Sequence, residues 1–574
     1  MQQQVQISSE RFEELAREGK RDLFRKNLFY FVHKSKLKMD GNPFSFDGHE
    51  YLREPYQAAG DPSIREVIDM KAAQMGLSTK EILNAFHGIW GGRYPKGVLY
   101  LLPSKTDVTE FSKGKVQGII DENKVIADWV GSTDSSRNTD AANIKRIGQG
   151  LIYFRGMQSR VGLKTISIDL TIFDEIEEVE DWEMVELAER RMDHSEVNFL
   201  GNIIRGGFIH RLSVPSVPGY GIDSYFSGRM SDDNSGWLIQ PSDQRYWNIK
   251  CEHCNTENCL EDEFPDCIVE VNYKEQTAIR VCKKCRRELN IANGVWVAKE
   301  PDRKKRGYHF SQLFSHYINP WNLLDQFRRK HNIVTLFNDK LGIPYIETDA
   351  RLETQEVLSL CGTLPQLDSF SGPASMGVDQ PKEEGGKFHV VIAYRDGKVP
   401  CSIIRICVRE KWSELADLMK RYNVARCVVD ALPDQAKARS FADEFRGKVY
   451  MIFYSEKQRG SYRWNDDQLT VSVDRTETLN SSTRAVHEKE VLLPRKDDDT
   501  IQFAKHCHNI ARKSEEDKDT QVVRHIWKRT GADHYRHAFN YLWIGLTEIG
   551  QYYQPRDDRD WKRDRQKPLD WRLV

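Results

Sequence analysis

Short apolar runs of strand length alternate with polar, helix-length stretches through most of the chain, and this alternation constrains the fold more than any other feature. Three runs lie in the first half, at 97–103, 150–156 and 165–175. Five more lie at 374–380, 388–397, 401–408, 425–431 and 449–454. Such runs are typical of strands that helices bury on both faces, as in parallel sheets. The sequence therefore predicts an α/β protein with two α/β regions.

The composition excludes several classes of protein. Of the 574 residues, 39% are hydrophobic and 30% are charged, which allows large cores and excludes a mostly disordered chain. The 85 basic and 86 acidic side chains give a net charge of -1, which excludes a uniformly basic coat such as that of a histone. No apolar run approaches the ~18 residues of a membrane span, and the first residues lack the pattern of a secretion signal. A membrane partner is therefore not expected.

Changes of texture along the chain predict its domain organisation. The predicted parts are an N-terminal helical segment at 1–45, a first α/β domain at 46–345, a linker at 346–372, a second α/β domain at 373–550 and a charged tail at 551–574. Within the first domain, a cysteine-rich insertion lies at 247–290, and a second helical stretch is expected at 307–345.

The segment KAAQMGLSTK at 71–80 is a candidate phosphate-binding loop. A small, glycine-containing loop before a helix presents backbone N–H groups and a partial positive charge to phosphate oxygens. Gly76 would allow the turn, and Ser78 and Thr79 could hold Mg²⁺. The segment departs from the usual G-x-x-x-x-G-K-[ST] pattern because its lysines are at the front, Lys71, and at the end, Lys80. An ordinary loop before a helix is the alternative.

The run TISIDLTIFDE at 165–175 ends in two carboxylates, Asp174 and Glu175. Open α/β sheets bind ligands at the carboxyl ends of their strands. In nucleoside triphosphatases one such carboxylate holds Mg²⁺ and the next activates water. The alternative is a strand end followed by an acidic helix.

Two further segments are candidates for nucleotide contact. Tyr51, Tyr56 and Gln57 precede the loop and offer aromatic and amide groups for an adenine. Ser213 follows a short apolar stretch and could sense the γ-phosphate, although a proline-rich loop is the simpler interpretation.

Two C-x-x-C pairs predict a structural zinc site. They are Cys251 with Cys254 and Cys282 with Cys285, separated by 27 residues. Each pair can place two thiolates on one tight turn, and four thiolates form the tetrahedral set that Zn²⁺ prefers. Four thiolates leave no open position, so catalysis by this zinc is not expected. Two coincidental pairs of reduced cysteines are the alternative, and Cys259, Cys267 and His253 are reserve ligands.

Separated aspartates in the second half predict a metal-dependent nuclease. Asp379 lies within an apolar run, where a charge is costly unless it is paired or binds a metal. Asp430 ends another run, and Asp533 begins a helix that carries His534 and His537. Three such carboxylates suit two divalent ions that cleave a phosphodiester, and the strand–turn–strand opening resembles the RNase H-like fold. Asp434 and Asp474 are reserve ligands, and caps or turns are the alternative for each aspartate.

Taken in order, these motifs resemble those of the large terminase subunit of tailed bacteriophages, most closely the branch typified by the lambda packaging ATPase. The motifs that carry the resemblance are KAAQMGLSTK, GVLYLLPSKTDVTEFSKGKV, IFDE, CEHC with CKKC, GYHFSQLF with NDKLGIPY, GVDQ, VVDA, DRT and GADHYRHA. The resemblance extends over most of residues 45–550. It implies a P-loop ATPase domain of the additional-strand (ASCE) class with a zinc-ribbon insertion, followed by an RNase H-like nuclease domain.

The resemblance also implies roles for individual residues. It assigns phosphate binding to the loop, Mg²⁺ binding to Asp174, catalysis to Glu175 and coupling to the segment 213–215. The phosphate-loop residues of the family correspond to Lys71, Gly76, Ser78 and Thr79. Its nuclease carboxylates correspond to Asp379, Asp430 and Asp533. Ala72 and Leu77 depart from the related loops. Ring motors of this kind use an arginine finger, for which Arg160 is the candidate.

The function implied by the resemblance is that of a DNA-packaging motor. ATP hydrolysis with Mg²⁺ would drive double-stranded DNA into a procapsid, and an endonuclease with two Mg²⁺ or Mn²⁺ ions would cut the concatemeric genome. The implied partners are double-stranded DNA, a portal protein, a small terminase subunit and further copies of the chain in a ring on the procapsid. The implied location is the bacterial host cytoplasm, transiently at the portal.

Three other interpretations compete with the packaging motor. A cellular or plasmid-borne helicase-nuclease would share both catalytic centres. A zinc-stabilised DNA-binding nuclease with an inactive ATP site would explain the unusual loop. A transposase or integrase would explain the aspartates and the zinc, but neither IFDE nor the phosphate loop.

Overall fold

The computed structural model describes residues 9–131, 143–158, 161–163, 166–179, 181–231, 236–330, 332–347, 350–381, 386–395, 400–455, 460, 462–516 and 523–549. The chain forms two compact units, Met1–Tyr345 and Ile346–Val574, which are described separately. The predicted charged tail at 551–574 lies outside the described residues. Within the described part of the chain, none of the helices combines the length and the hydropathy needed to cross a bilayer.

The elements of the first unit are named in chain order. Its strands are β1 (Lys38–Met39), β2 (Asn42–Pro43), β3 (Glu66–Lys71), β4 (Val98–Leu102), β5 (Ile144–Ile147), β6 (Gly150–Gly156), β7 (Leu170–Asp174), β8 (Glu196–Phe199), β9 (Asn202–Arg205), β10 (Phe208–Ser213), β11 (Arg229–Met230), β12 (Trp237–Ile239), β13 (Arg245–Lys250), β14 (Glu257–Cys259), β15 (Ile268–Asn272), β16 (Thr277–Arg280), β17 (Gly294–Ala298) and β18 (Arg306–Phe310). Its helices are α1 (Ser9–Lys26), α2 (Leu28–Lys34), α3 (Arg53–Gly60), α4 (Leu77–Gly91), α5 (Lys105–Phe111), α6 (Gln117–Glu122), α7 (Lys124–Gly131), α8 (Glu183–Glu189), α9 (Gly221–Phe226), α10 (Leu260–Glu263), α11 (Pro320–Arg328) and α12 (Ile333–Thr335).

The elements of the second unit continue the numbering. Its strands are β19 (Ala374–Asp379), β20 (Phe388–Tyr394), β21 (Cys401–Arg409), β22 (Val424–Asp430), β23 (Val449–Tyr454), β24 (Arg463–Asn465), β25 (Thr470–Val473), β26 (Val491–Leu492), β27 (Ile510–Glu516) and β28 (Val523–Arg529). Its helices are α13 (Thr354–Leu358), α14 (Trp412–Arg421), α15 (Gln435–Glu444), α16 (Arg475–His487), α17 (Asp498–His508) and α18 (His534–Thr547).

A large, mostly parallel sheet forms the centre of the first unit. Its order is β14–β13–β18–β3–β10–β7–β4–β6–β5, with β17 also paired to β13. The strands from β18 to β6 run parallel, so their carboxyl ends share one edge. The strand that ends at Lys71 is separated from the strand that ends at Asp174 by β10, which ends at Ser213. This order brings the predicted phosphate loop, acidic pair and coupling segment to one edge.

Alternate side chains of the central strands enter cores on opposite faces of this sheet. Val98 and Tyr100 of β4 belong to one buried cluster, and Leu99 and Leu101 belong to the other. Burial on both faces is the physical reason why the run appears continuously apolar in the sequence.

The structure differs from the prediction of a helical stretch beginning at 307. Arg306–Phe310 forms the strand β18, beside β3. Tyr308 and Phe310 both contact Trp296 in one core, at ring-centroid distances of 5.0 and 5.1 Å. Their spacing of two residues fits a strand, in which alternate side chains share a face.

The N-terminal helices pack onto the first unit. Asn27 separates α1 from α2 within the predicted helical segment at 1–45, and its side-chain oxygen accepts a hydrogen bond from the backbone N–H of Tyr30 at 2.8 Å. Leu28 and Phe31 of α2 are fully buried. In the second unit, the segment predicted to be a linker is likewise packed, because Leu352 and Val357 are buried in its core.

The second unit is built on an eight-stranded mixed sheet. Its order is β24–β25–β23–β22–β19–β20–β21–β26. The strands β19, β20 and β21 pair antiparallel, whereas β22 pairs parallel to β19 and β23 pairs parallel to β22. Consequently Asp379 and Asp430, at the ends of β19 and β22, lie at the same edge of neighbouring strands.

Helix α18 lies directly against the centre of this sheet. A Cβ atom at Gly377 would lie 1.9 Å from the carbonyl oxygen of Ala538, so only glycine allows this approach. The N-terminus of α18, beginning after Asp533, is thereby held beside the strand that ends at Asp379.

Candidate functional site

The predicted phosphate loop connects β3 to α4 at the carboxyl edge of the first sheet. Its front is anchored, because the N–H of Ala72 donates to the Phe310 carbonyl at 2.7 Å and the N–H of Ala73 donates to the Asp339 carbonyl at 2.6 Å. Gly76 caps the start of α4 with a left-handed backbone, φ 84°. The loop therefore leads into a helix N-terminus, as anion binding requires.

Lys71 meets the acidic pair at the end of β7. Its Nζ lies 2.7 Å from Oε1 of Glu175, and the Lys71 side chain is only 7% exposed. Glu175 has a left-handed backbone, φ 57°, which turns its side chain back toward the loop. Burial acts to raise the pKa of Glu175, but the Lys71 ammonium and the hydrogen bonds from Ser213 and Val214 together outweigh burial, and the pKa lies below its usual range. The carboxylate is thus held in its charged form.

Asp174 has the surroundings of a cation ligand. Its Oδ2 accepts a hydrogen bond from the Tyr100 hydroxyl at 2.6 Å, whereas its buried Oδ1 makes no hydrogen bond within the described structure. Burial raises the pKa of Asp174, and the Ser78 hydroxyl is among the groups that oppose this shift. Carboxylate and hydroxyl oxygens are ligands that Mg²⁺ accepts, so this pair fits a magnesium ion. Thr79, half-buried, lies on the same helical turn as Ser78.

Ser213 completes this cluster from β10. Its hydroxyl donates to Oε2 of Glu175 at 3.0 Å, and the N–H of Val214 donates to the same oxygen at 3.3 Å. Lys71, Ser78, Asp174, Glu175 and Ser213 are therefore brought together by three parallel strands and one helix.

Lys80 does not join this cluster. It is fully buried on α4, where its Nζ forms ion pairs with Asp69 of β3 and, at 2.9 Å, with Oε1 of Glu81. His210 of β10 contacts Oε2 of Glu81 at 2.8 Å, which extends the buried polar network. Of the two lysines that the sequence left as alternatives, Lys71 is the one that faces the carboxylates.

We expect the substitution Lys80→Met to destabilise the first unit. It would leave the buried carboxylates of Asp69 and Glu81 without their cation, and breaking a buried pair in this way typically costs about 3–5 kcal/mol. Thermal unfolding followed by circular dichroism measures the loss, with the exposed Lys113→Met as the matched control. An unchanged unfolding temperature together with weakened nucleotide binding would contradict the structural role.

The predicted adenine contacts are not brought to the loop as open groups. Tyr51 is 3% exposed and packs against Phe314 at a ring-centroid distance of 5.2 Å. Tyr56 is fully buried against Phe46 at 5.3 Å. Gln57 is exposed. Both tyrosines are core residues, since burial of a large ring outweighs its polar hydroxyl. The candidate finger Arg160 lies outside the described residues.

The four predicted cysteine ligands converge at one point of the insertion. Their sulfur atoms lie within 4.8 Å of one another, with Cys251 Sγ and Cys285 Sγ 3.6 Å apart and Cys254 Sγ and Cys282 Sγ also 3.6 Å apart. Tetrahedral zinc–sulfur bonds of ~2.3 Å give similar separations, so the donor set fits Zn²⁺.

The two turns that carry these cysteines are alike. The N–H of Asn255 donates to the Cys251 carbonyl at 2.9 Å, and the N–H of Arg286 donates to the Cys282 carbonyl at 3.0 Å. Both Asn255 and Arg286 have positive φ angles, 55° and 59°. The reserve ligands do not join the cluster, because the thiol of Cys267 donates to the Leu260 carbonyl at 3.4 Å and His253 contacts Arg287.

Three aspartates converge in the second unit, on β19, β22 and the start of α18. Asp379 and Asp533 are each 6% exposed, and Asp430 is half-buried, with its Oδ2 accepting from the Tyr541 hydroxyl at 3.2 Å. Burial raises the pKa of Asp379 and of Asp430, and the charge of Asp379 adds to the shift of Asp430. A bound cation would offset the cost of charging such buried carboxylates, so the cluster fits divalent ions with oxygen ligands.

Histidines surround these aspartates. His534 Nδ1 lies 2.8 Å from Oδ2 of Asp379, and His537 Nε2 lies 3.2 Å from Oδ2 of Asp533. His389, which pairs across the strands with Asp379, stacks on His534 at 4.7 Å. Burial lowers the pKa of His389 to about 3, so its ring is neutral. The sequence analysis missed His389, although its position two residues into an apolar run is a usable signal.

The reserve aspartates of this region are helix caps. Asp434 accepts a hydrogen bond from the N–H of Lys437 at 3.0 Å at the start of α15. Asp474 accepts from the N–H of Glu477 at 2.8 Å at the start of α16. Caps of this kind satisfy the free N–H groups of a first helical turn, which explains both residues without a metal.

Part of the first unit is similar to a known protein family. Residues 41–297 match the family described as phage terminase large subunit gpA, ATPase domain. No protein of curated function matches the chain. The match contains the phosphate loop, the acidic pair, Ser213 and all four clustered cysteines.

The solved structures that are similar to the chain include large terminases. A large terminase from a thermophilic bacteriophage, in its crystal form 2, is 11% identical, with 88% of this chain and 100% of that chain covered and a TM-score of 0.29. The large terminase nuclease of the thermophilic phage G20c with bound magnesium is 12% identical, with 35% and 98% covered and a TM-score of 0.24. The ATPase domain of the Thermus phage P74-26 large terminase is 11% identical, with 49% and 88% covered and a TM-score of 0.25. Residues 41–297, which contain the first of these sites, are thus similar to the ATPase domain of the phage terminase large subunit family.

Proposed function

We propose that this chain is the motor and nuclease subunit of a viral DNA-packaging machine. The observation that carries the proposal is the meeting of Lys71, Asp174 and Glu175 at one sheet edge, directly behind the phosphate loop. A lysine and two carboxylates at the ends of strands β3 and β7 are what ATP hydrolysis requires. The one-strand separation between β3 and β7 is typical of the additional-strand (ASCE) class of P-loop ATPases.

Each residue of the first site has a distinct task in ATP hydrolysis. Lys71 and the helix N-terminus of α4 would bind phosphate oxygens, and Asp174 and Ser78 would hold Mg²⁺. The Mg²⁺ ion, when bound, neutralises charge on the phosphates. Glu175, kept charged by Lys71, would orient and polarise the attacking water. Ser213 fixes the rotamer of Glu175 through its hydrogen bond.

The second site supports a nuclease. The strand order and directions of the second sheet support an RNase H-like fold. The order is β21–β20–β19–β22–β23, in which the first three strands are antiparallel and the last two run parallel to β19. Asp379, Asp430 and Asp533 would hold two Mg²⁺ or Mn²⁺ ions, which supply activated water and stabilise the leaving oxygen. The chain's own contribution is a largely buried set of carboxylates, held by hydrogen bonds to histidine and to Tyr541.

The cluster of four cysteines would hold a structural zinc ion. We expect one zinc per chain in the purified protein and much less in Cys282→Ser, because loss of one thiolate opens the tetrahedral site. Metal analysis measures the stoichiometry, and thermal unfolding measures the lower stability of the variant. Cys259→Ser, which changes a thiol outside the cluster, is the matched control and should retain the metal. Equal zinc content in all three proteins would contradict this ligand set.

The remaining assignments complete the proposed cycle. Double-stranded DNA would be the translocated substrate, and the portal protein, the small terminase subunit and further copies of the chain in a ring would be its partners. A finger residue such as Arg160 would act across neighbouring copies. The place of action would be the host cytoplasm, at the portal of the procapsid.

The test is a paired assay on the full chain. Phosphate release from ATP is measured with Mg²⁺, with and without linear double-stranded DNA, and plasmid cleavage is measured with Mn²⁺ and with a chelator. Both activities are expected, and cleavage should stop with the chelator. A protein that cuts DNA but never hydrolyses ATP, even with DNA and partner proteins, would overturn the motor and leave a zinc-bearing nuclease.

A further inference from the structure

A third carboxylate, which is buried, follows the acidic pair of the first unit. After Glu175 the chain makes a tight turn, Ile176–Glu178, and Glu177 within it is only 3% exposed. Glu175 faces Lys71, whereas Glu177 faces the segment that follows β10. A buried charge of this kind is costly unless it is fully hydrogen-bonded.

The Glu177 carboxylate accepts hydrogen bonds from residues 214–222, which follow Ser213 and end in the first turn of α9. This segment is here called the coupling loop. Oε1 accepts from the N–H of Ser216 at 3.0 Å and from the Ser216 hydroxyl. Oε2 accepts from the N–H of Ile222 at 2.9 Å. Three donors on one carboxylate offset the cost of its burial and fix the loop at two points.

Gly221 shows how closely the loop encloses this carboxylate. A Cβ atom at Gly221 would lie 1.8 Å from Oε2 of Glu177, and the residue has a positive φ of 53°. Both the contact and the backbone angle exclude ordinary side chains there. The sequence of the loop is therefore matched to the presence of Glu177.

Glu175 and Glu177 hold neighbouring parts of the same loop. Glu175 receives the Ser213 hydroxyl and the N–H of Val214, while Glu177 receives groups of Ser216 and Ile222. In addition, the backbone N–H of Glu177 donates to the Ser213 hydroxyl oxygen at 3.3 Å. The position of the Ser213 hydroxyl relative to Glu175 thus depends on the contacts of Glu177.

The coupling loop is also linked to the last residues of the first unit. The N–H of Tyr345 donates to the Ser216 carbonyl at 3.0 Å and to Oδ1 of Asn338 at 2.8 Å. The neighbouring Asp339 carbonyl accepts from Ala73 of the phosphate loop. Hydrogen bonds thus connect the coupling loop, through Tyr345 and the segment at Asn338 and Asp339, to the phosphate loop. Glu177 stabilises the coupling loop within this network.

We propose that Glu177 is a positioning residue for ATP hydrolysis, which holds the coupling loop so that Ser213 and Val214 orient the Glu175 carboxylate. The inference relies on the proposed ATPase function. The Glu177 carboxylate accepts hydrogen bonds from Ser216 and Ile222, which lie outside the groups assigned to nucleotide binding. Its loss should therefore lower kcat while leaving KM for ATP and the affinity for ADP nearly unchanged.

The test compares steady-state ATP hydrolysis of the wild-type chain with Glu177→Gln. A glutamine places an N–H₂ group against N–H donors, so one of the loop contacts becomes repulsive. We expect kcat to fall at least tenfold with KM changed less than threefold, and plasmid cleavage to be unaffected. Glu178→Gln, an exposed change in the same turn, is the matched control and should behave as wild type.

Two further variants keep the test decisive. Gly221→Ala retains Glu177 but places a methyl group against its carboxylate. Ser216→Ala removes one of the donors to that carboxylate. Both variants should lower kcat, and the decrease should be smaller for Ser216→Ala. Their thermal unfolding identifies any variant that fails to fold. If the wild type hydrolyses ATP and folded variants retain its kcat, or if KM rises with the loss of kcat, the positioning role is wrong. If the wild type hydrolyses no ATP, the proposed function itself fails.

Discussion

Replacing Glu175 with glutamine is expected to abolish ATP hydrolysis while leaving DNA cleavage intact. The glutamine retains the shape of the side chain but cannot accept a proton or polarise water as a carboxylate does. Loss of such a group typically costs about 10²–10⁴-fold in rate, or about 3–5 kcal/mol in the activation barrier. The measurement is phosphate release under saturating ATP with Mg²⁺.

The nucleotide affinity of Glu175→Gln distinguishes a loss of catalysis from a loss of nucleotide binding. Lys71 would still bind phosphate oxygens, and Asp174 would retain its hydrogen bond from Tyr100. Calorimetric titration with ADP should therefore give nearly the wild-type affinity. Glu178→Gln serves as the control for a lost charge in the same turn. Hydrolysis by Glu175→Gln within threefold of the wild type would exclude Glu175 as the catalytic base.

Replacing Asp379 with asparagine is expected to abolish DNA cleavage while leaving ATP hydrolysis intact. Asp379 is buried at the end of β19, beside Asp430 and His534, and would contribute a charged oxygen to the bound ions. An amide carries no charge and binds divalent ions weakly. We expect a loss on the order of 10²–10³-fold, equivalent to about 3–4 kcal/mol of electrostatic stabilisation of the transition state. Conversion of supercoiled plasmid with Mn²⁺ measures it.

Asp434→Asn is the matched control for this variant. Asp434 lies in the same region and caps α15, and asparagine caps helices as well as aspartate does. The control should cut DNA at the wild-type rate. Cleavage by Asp379→Asn at that rate would show that the nuclease centre lies elsewhere, whereas loss of cleavage in both variants would indicate damage to the fold of the second unit.

Several features of the fold follow from local sequence. The apolar runs at 97–103 and 425–431 contain the strands β4 and β22, because strands buried on both faces need continuous apolar sequence. The two cysteines of each C-x-x-C pair share one local turn, because each pair forms the same hydrogen-bonded turn. The run at 165–175 was less informative, since only Leu170–Asp174 of it is a strand among the described residues.

Other features depend on contacts between distant residues. Tyr51 and Tyr56 appear as possible adenine contacts in the sequence, yet packing against Phe314 and Phe46 makes them core residues. The predicted helical stretch at 307–345 is wrong at its beginning, because neighbouring strands and Trp296 favour an extended conformation for Arg306–Phe310. Pro320–Arg328, within the same stretch, is helical. These packing partners are distant in the sequence, so no local sequence pattern could reveal the contacts.

The sequence by itself determined the order of the motifs, the α/β class and the residue types at the strand ends. Only the tertiary structure shows which of Lys71 and Lys80 lies beside the acidic pair. Both are lysines flanking one loop, but Lys80 is held by Asp69 and Glu81 inside the unit, while Lys71 reaches Glu175 across β10. The reason is physical: the energy of a buried charge depends on the groups that surround it in space. The role of Glu177 was hidden for the same reason, because its partners lie in a loop that follows another strand.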